Sequence, residues 1–230
     1  MEQLTFDLIA AEAPSFANFV AGRNAEAVAA LARAAVGEVR ETAVVVWGPP
    51  GSGRTHLLRA AVAAAQSRRA AVYHADATTA PAEPPEPGAL VAIDDVDRAD
   101  PATQARLFTL FNGLQATGGQ LVAAAAMPPA RLPLRDDLRT RLGWGLVYEL
   151  VPLADADKPA ALVRFARERG FRLGDDVIAY LLAHGRRDMP TLVATLVALD
   201  RYALAGKRQV TVPLLREWLQ QEIALRPRGG

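Results

Sequence analysis

Short apolar runs alternate with helix-type spacing over the first 150 residues. The runs occupy residues 42–47, 70–74, 89–93, 120–126 and 146–150. Such runs, without polar alternation, are typical of parallel strands buried on both faces. Helical spacing is predicted between them over residues 25–35, 55–66 and 101–114, with Asn24 and Asp100 as the capping residues. We therefore predict an α/β domain with an open, mostly parallel sheet.

The pattern changes after Pro152. Helices are predicted over residues 155–169, 174–184, 190–204 and 213–225, with a weak strand signal at 209–212. Residues 77–88 contain four prolines and are predicted to be a loop. The first dozen residues show no helical period. The predicted organisation is an extended tail at 1–12, an α/β base domain at 13–151 and a small all-helical domain at 152–230.

Composition narrows the class of protein. Apolar residues make up 51% of the chain, which excludes a disordered chain, and the net charge of +1 excludes a strongly basic nucleic-acid coat. Zero cysteines exclude a disulfide scaffold and a Cys-type zinc or iron–sulfur site. No apolar run is long enough to span a membrane, and the acidic N-terminus is unlike a secretory signal. We expect a cytoplasmic protein without a membrane partner.

A glycine-rich loop separates the first predicted strand from the helix after it. Its glycines let backbone N–H groups converge on an anion, and the helix adds its positive N-terminal end. Arginine stands where the phosphate-loop pattern has lysine, which keeps the charge but replaces a compact ammonium with a planar fork. We predict binding of a nucleotide phosphate chain with inefficient hydrolysis; the alternative is a plain glycine-rich turn. The loop residues are Gly48, Pro49, Pro50, Gly51, Ser52, Gly53, Arg54 and Thr55.

Two adjacent carboxylates, Asp94 and Asp95, end the third predicted strand. Ligands bind at the carboxyl edge of open α/β sheets. Together with the loop upstream, the pattern predicts that Asp94 and the Thr55 hydroxyl hold Mg²⁺ on the nucleotide, and that Asp95 is a possible water-positioning acid. The alternative is that these acids only cap the next helix.

These motifs resemble an AAA+ nucleotide-binding module, and more narrowly the Hda family of DnaA-related proteins. Residues 16–24 are similar to the N-terminal box of that family, which implies that Val20, Gly22 and Asn24 line the adenine pocket. Residues 138–145 resemble the segment that carries the arginine finger, which implies that role for Arg141. Without the resemblance, an ion pair of Arg141 with Asp136 or Asp137 is the simpler interpretation.

The N-terminal tail resembles the short peptide that docks into the bacterial sliding clamp. The resemblance implies a hydrogen-bonding role for Gln3 and groove-filling roles for Leu4, Phe6 and Leu8 on the β clamp of DNA polymerase III. The alternative is an edge strand or a disordered leader. DNA would then be reached only through the clamp, because the resemblance to DnaA does not extend to its C-terminal helix-turn-helix domain.

The resemblance implies a regulator of replication initiation. The protein would hold ADP (or ATP) with Mg²⁺, dock on the DNA-loaded clamp and stimulate hydrolysis of ATP bound to DnaA, with little turnover of its own. One rival is a self-sufficient AAA+ ATPase, such as a helicase or clamp loader; another is a scaffold without nucleotide chemistry. A homodimer is also expected to be possible, since AAA+ modules meet head to tail.

Two departures from the family pattern favour weak ATPase activity. The strand at 120–126 lacks the polar residue that senses the γ-phosphate, and Pro190 stands where the lid helix has a phosphate-directed arginine. Arg186 and Arg187 are candidate substitutes.

Overall fold

The computed structural model describes residues 13–184 and 189–225, so the predicted clamp-binding residues Gln3, Leu4, Phe6 and Leu8 lie outside the described part. The chain forms two compact units, Ala13–Pro152 and a second unit from Leu153 onward. Each unit has a hydrophobic core of its own.

The first unit is built on a five-stranded parallel sheet with the strand order β2-β3-β4-β1-β5. In the central register Val45 of β1 lies between Ala123 of β4 and Val147 of β5. The prediction of a mostly parallel α/β sheet is confirmed. The strands are β1 (Ala43–Trp47), β2 (Ala71–His74), β3 (Leu90–Ile93), β4 (Gln120–Ala125) and β5 (Leu146–Glu149).

Helices cover both faces of this sheet, because alternate side chains of each buried strand point to opposite sides. On one side Val44 and Val46 pack with Leu57 and Leu58 in a core that α1 and α2 complete. On the other side Val45 packs in a core with α3 and α4. The helices are α1 (Ala25–Ala35), α2 (Arg54–Ala65), α3 (Pro101–Thr117) and α4 (Asp136–Gly143).

In its described residues the second unit has four helices around a core that includes Leu162, Leu196 and Leu214. No helix within the described ranges is long and apolar enough to cross a membrane. The helices are α5 (Lys158–Glu168), α6 (Asp175–His184), α7 (Met189–Ala205) and α8 (Val212–Leu225).

The strand predicted at 209–212 is wrong. Val212 is the first residue of α8, and the Thr211 hydroxyl accepts a hydrogen bond from the Leu214 N–H at 3.4 Å. The Leu215 N–H also donates to the Thr211 carbonyl at 2.9 Å. Thr211 therefore serves as the N-cap of a helix, and this local capping outweighs the strand preference of the β-branched residues around it.

The proline-rich segment 77–88 is mainly loop, as predicted, but it begins with a one-turn 3₁₀ helix at Ala77–Thr79. The segment packs against α3. Ala77 and Ala80 are buried, and a side-chain carbon added at Gly113 of α3 would lie 2.7 Å from the Pro84 ring. The segment is thus packed as part of the base unit.

Candidate functional site

The glycine-rich loop joins the carboxyl end of β1 to the first turn of α2. Gly51 and Gly53 have positive φ values of 81° and 97°, a region that side chains disfavour. A side-chain carbon at Gly48 would lie 2.4 Å from the Leu150 carbonyl oxygen beyond β5. The glycines therefore permit both the tight turn and the close approach of neighbouring backbone, as a phosphate-binding loop requires.

The segment before α1 packs directly on this loop. The Phe19 ring covers Gly53, where an added side-chain carbon would lie 2.5 Å from the ring, and it is 5.3 Å from the His56 ring. His56 Nε2 is 3.0 Å from the Ser15 carbonyl oxygen. Burial lowers the pKa of His56, against a smaller opposite effect of the hydrogen bond to Ser15. The sequence motifs indicate no role for the Phe19 and His56 side chains, because these roles depend on contacts between distant parts of the chain.

Asn24 holds the end of this segment against the end of the base unit. Its side-chain amide donates to the Val151 carbonyl at 2.9 Å and accepts from the Val151 N–H at 2.8 Å. Asn24 occupies the position before α1 but makes no side-chain cap, so the predicted capping contact is wrong. Val20 is half-buried, and Gly22 begins a 3₁₀ turn with φ at 52°. The three residues implied for an adenine pocket thus lie on one segment beside the loop.

Two polar atoms in the loop are buried without a hydrogen-bond partner in the described structure: Ser52 Oγ and Arg54 Nη1. Buried polar groups are nearly always satisfied in native proteins, so these two atoms are available to an acceptor on a ligand. A phosphate chain is an acceptor of that kind, and both residues stand where the sequence predicts phosphate contacts.

Arg54 also reaches Asp95 across the site. Its Nη2 is 3.6 Å from Asp95 Oδ1, while Arg98 Nη1 is 3.3 Å from Asp95 Oδ2. Asp95 has φ at 46°, which is unusual for a residue other than glycine. Asp95 is therefore placed between two guanidinium groups at a strained backbone position.

Asp94 and Thr55 are in direct hydrogen-bond contact. Asp94 is 4% exposed, and the Thr55 hydroxyl donates to its Oδ2 at 2.5 Å. The Tyr73 hydroxyl donates to the same oxygen at 3.3 Å, a contact that the sequence patterns did not reveal. A hydroxyl and a carboxylate fit the oxygen preference of Mg²⁺, which binds through few protein ligands and nucleotide phosphates. Within the described ranges no cluster of three or more acidic or histidine side chains offers an all-protein metal site.

The backbone that follows the carboxyl end of β4 lies at the same edge of the sheet as Asp94. The Ala126 N–H donates to Asp97 Oδ1 at 3.2 Å, and Met127 follows with 37% of its surface exposed. Pro190 lies in the first turn of α7, and Arg186 and Arg187 lie outside the described residues.

Arg141 lies on α4, a short helix that the sequence patterns did not predict. Its Nε donates to Asn112 Oδ1 at 2.9 Å, and its guanidinium lies 4.3 Å from the centre of the Phe108 ring. The ion pairs considered for it from sequence are not formed. Asp136 instead pairs with Arg139 and Asp137 with Arg135.

Comparison with known proteins adds two findings. Residues 155–219 match the family model for the lid domain of Hda. Domain III of the DnaA replication initiation protein from Thermotoga maritima is similar over 90% of this chain and 95% of its own, with 21% identity and a TM-score of 0.66.

Other solved structures share the fold over most of this chain. AMPPCP-bound DnaA from Aquifex aeolicus matches 81% of this chain and 64% of its own, at 22% identity and a TM-score of 0.64. A RuvB variant from Thermotoga maritima matches 90% and 71%, at 19% identity and a TM-score of 0.59. The chain thus shares the AAA+ fold of these proteins, and its residues 155–219 match the lid domain of Hda.

Proposed function

We propose that the protein binds an adenine nucleotide and regulates replication initiation by acting on DnaA. The observation that carries nucleotide binding is the phosphate loop itself. Its unpartnered atoms Ser52 Oγ and Arg54 Nη1 lie in the same loop as Thr55, whose hydroxyl contacts Asp94. This arrangement offers donors to a phosphate chain and oxygen ligands to Mg²⁺. ADP is the proposed resident nucleotide.

The surroundings of Asp95 favour weak hydrolysis in this site. A water-positioning acid needs a carboxylate oxygen that is free to accept a proton or a hydrogen bond from water. Both Asp95 oxygens face a guanidinium, one from Arg54 and one from Arg98. The exposed Met127 after β4 supplies no charge or hydrogen-bond donor. These contacts support a binding and signalling role over a self-sufficient ATPase.

Arg141 is the residue proposed to promote ATP hydrolysis in the active site of a partner. A guanidinium presented to the γ-phosphate of a neighbouring AAA+ module stabilises transition-state charge and raises hydrolysis by several powers of ten. Asn112 fixes the Arg141 Nε, and the Phe108 ring supports the guanidinium, so the side chain is oriented before it meets a partner. The partner is DnaA in its ATP-bound form, which hydrolysis would inactivate.

Residues 1–12 are proposed to bring this activity to replicated DNA. The tail would dock on the DNA polymerase III β clamp through Gln3, Leu4, Phe6 and Leu8, and so reach DNA only indirectly. A short extended peptide gains its affinity from a few apolar anchors and main-chain hydrogen bonds.

The test is hydrolysis of ATP already bound to DnaA, measured with DNA-loaded clamp. Wild-type protein is expected to stimulate hydrolysis. Arg141→Ala should lose at least a hundredfold of that stimulation because the charge is removed from the transition state. Gln3→Ala should weaken docking on the clamp, so stimulation should be lost at low concentrations of the protein. It should return at concentrations that saturate binding to DnaA without the clamp.

Arg139→Ala is the matched control for Arg141, because it removes another α4 arginine whose guanidinium pairs with Asp136. It should retain stimulation. No stimulation by the wild type would contradict the proposal. Steady ATP hydrolysis by the protein alone, lost in Asp95→Asn, would favour the self-sufficient ATPase.

A further inference from the structure

Tyr73 lies on the edge strand β2, diagonally opposite Asp94. Tyr73 pairs in register with Ala92 of β3, and Asp94 follows Ala92 by two residues, so both side chains rise from the same face of the sheet. Diagonal neighbours on adjacent strands are within reach of an aromatic side chain. The Tyr73 hydroxyl accordingly lies 3.3 Å from Asp94 Oδ2.

Three donors within the described residues contact the Asp94 carboxylate. Oδ2 accepts from Thr55 and from Tyr73, and Oδ1 accepts from the N–H of Asp95 at 3.1 Å. Thr55 is also the residue proposed to place its hydroxyl oxygen on Mg²⁺. Of the two side chains that donate to Oδ2, Thr55 is thus also a proposed magnesium ligand, whereas Tyr73 is not.

The surroundings of Tyr73 keep it suited to this contact. Its ring packs against the core beneath α2, and the Arg59 guanidinium lies 4.9 Å from the ring centre. The packed ring holds the hydroxyl within hydrogen-bond reach of Asp94 Oδ2.

We propose that Tyr73 is a positioning residue for magnesium: it fixes the plane of the Asp94 carboxylate toward the metal ion on the bound nucleotide. Partners that orient a metal-binding group commonly change metal affinity when removed, although they do not touch the metal. This role rests on the proposed nucleotide binding, but it concerns only how strongly that binding depends on magnesium.

The test compares binding of a fluorescent ADP analogue with and without Mg²⁺, using Tyr73→Phe. Mg²⁺ is expected to increase the affinity for the ADP analogue, and we follow the Mg²⁺ concentration at which half of that increase is reached. In Tyr73→Phe this concentration should rise about fivefold, the effect of one lost hydrogen bond. Affinity in excess EDTA should stay within about twofold of wild type. Phenylalanine keeps the ring and its packing, so the fold is preserved.

Tyr148→Phe is the matched control, because Tyr148 is a half-buried strand tyrosine beside the same core. It should leave both titrations unchanged. Equal losses with and without Mg²⁺ in Tyr73→Phe would overturn the proposal and make Tyr73 a packing residue. An unchanged Mg²⁺ titration would also overturn it while nucleotide binding stood, whereas a wild-type protein that bound no ADP would overturn both proposals.

Discussion

His56 is a titratable residue at the point where the N-terminal segment meets the phosphate loop. Burial lowers its pKa below the ordinary value, so between the folded and unfolded pKa values the unfolded chain binds more protons. Protonation of His56 therefore costs no stability above about pH 6.5. As the pH drops from there toward the folded pKa of His56, the free energy of unfolding falls.

His56→Gln should reduce this pH dependence. Glutamine can still donate to the Ser15 carbonyl but carries no titratable proton. We expect the free energy of unfolding in urea to fall less for the variant than for wild type between pH 7 and pH 5. Parallel curves for the two proteins would contradict a buried neutral histidine at this position.

Sequence patterns predict the site residues that belong to contiguous motifs. They do not predict the residues that reach the site from distant parts of the chain. The loop from Gly48 to Thr55 and the Asp94 position could be predicted, because each motif is contiguous and its chemistry depends on local backbone. Phe19 and Tyr73 could not, since their importance arises from contacts with Gly53 and Asp94 that only the folded chain creates.

At the scale of elements, Gly145 sets how closely the start of β5 approaches β1. A side-chain carbon there would lie 2.1 Å from the Ala43 carbonyl oxygen, a backbone atom that cannot move aside alone. Gly145→Ala should therefore lower the free energy of unfolding by about 2–3 kcal/mol through overpacking, as measured by urea denaturation.

Gly143→Ala, two residues earlier, is the control. An added carbon there would have its nearest neighbour at 4.0 Å, in the Pro129 side chain, and the residue closes a helix in which alanine is favourable. Its free energy of unfolding should equal or slightly exceed that of wild type. A large loss in Gly143→Ala, or none in Gly145→Ala, would show that β5 tolerates a wider separation from β1.

Elements were predictable where apolar patterns were long, and not where they were short. The buried strands and the long helices have enough apolar positions to define a period. In α4 only Leu138 and Leu142 are buried, and charged side chains surround them, so its apolar stripe is two residues long. At α8 the opposite error arose, because the β-branched residues before Leu214 mimic a strand although Thr211 caps a helix.

At the scale of the whole molecule, the described loop and site residues from Phe19 to Asp95 belong to the unit Ala13–Pro152. A ligand raises the stability of the part that binds it, by about 2.7 kcal/mol at a hundred times its Kd. Saturating ADP should therefore raise the urea midpoint of the base unit and leave that of the second unit little changed.

The three tryptophans allow each unit to be followed separately. Trp47 and Trp144 lie in the base unit and Trp218 in the second. Fluorescence of a variant that keeps only Trp218 should report an ADP-independent midpoint, and one that keeps only Trp47 an ADP-dependent midpoint. Equal shifts in the two variants would mean that the units unfold as a single cooperative block.

The order of strands in the sheet has a consequence for synthesis on the ribosome. β1 is made first, yet its two neighbours are β4 and β5, the last strands to be made. While β2 and β3 can pair as soon as they emerge, one edge of β1 stays open until β4 has left the exit tunnel, and the other stays open until β5 has left it. A long wait with unpaired apolar edges slows folding and exposes the nascent chain to aggregation. Chaperone dependence of this protein should therefore be concentrated in the interval between synthesis of β1 and synthesis of β5.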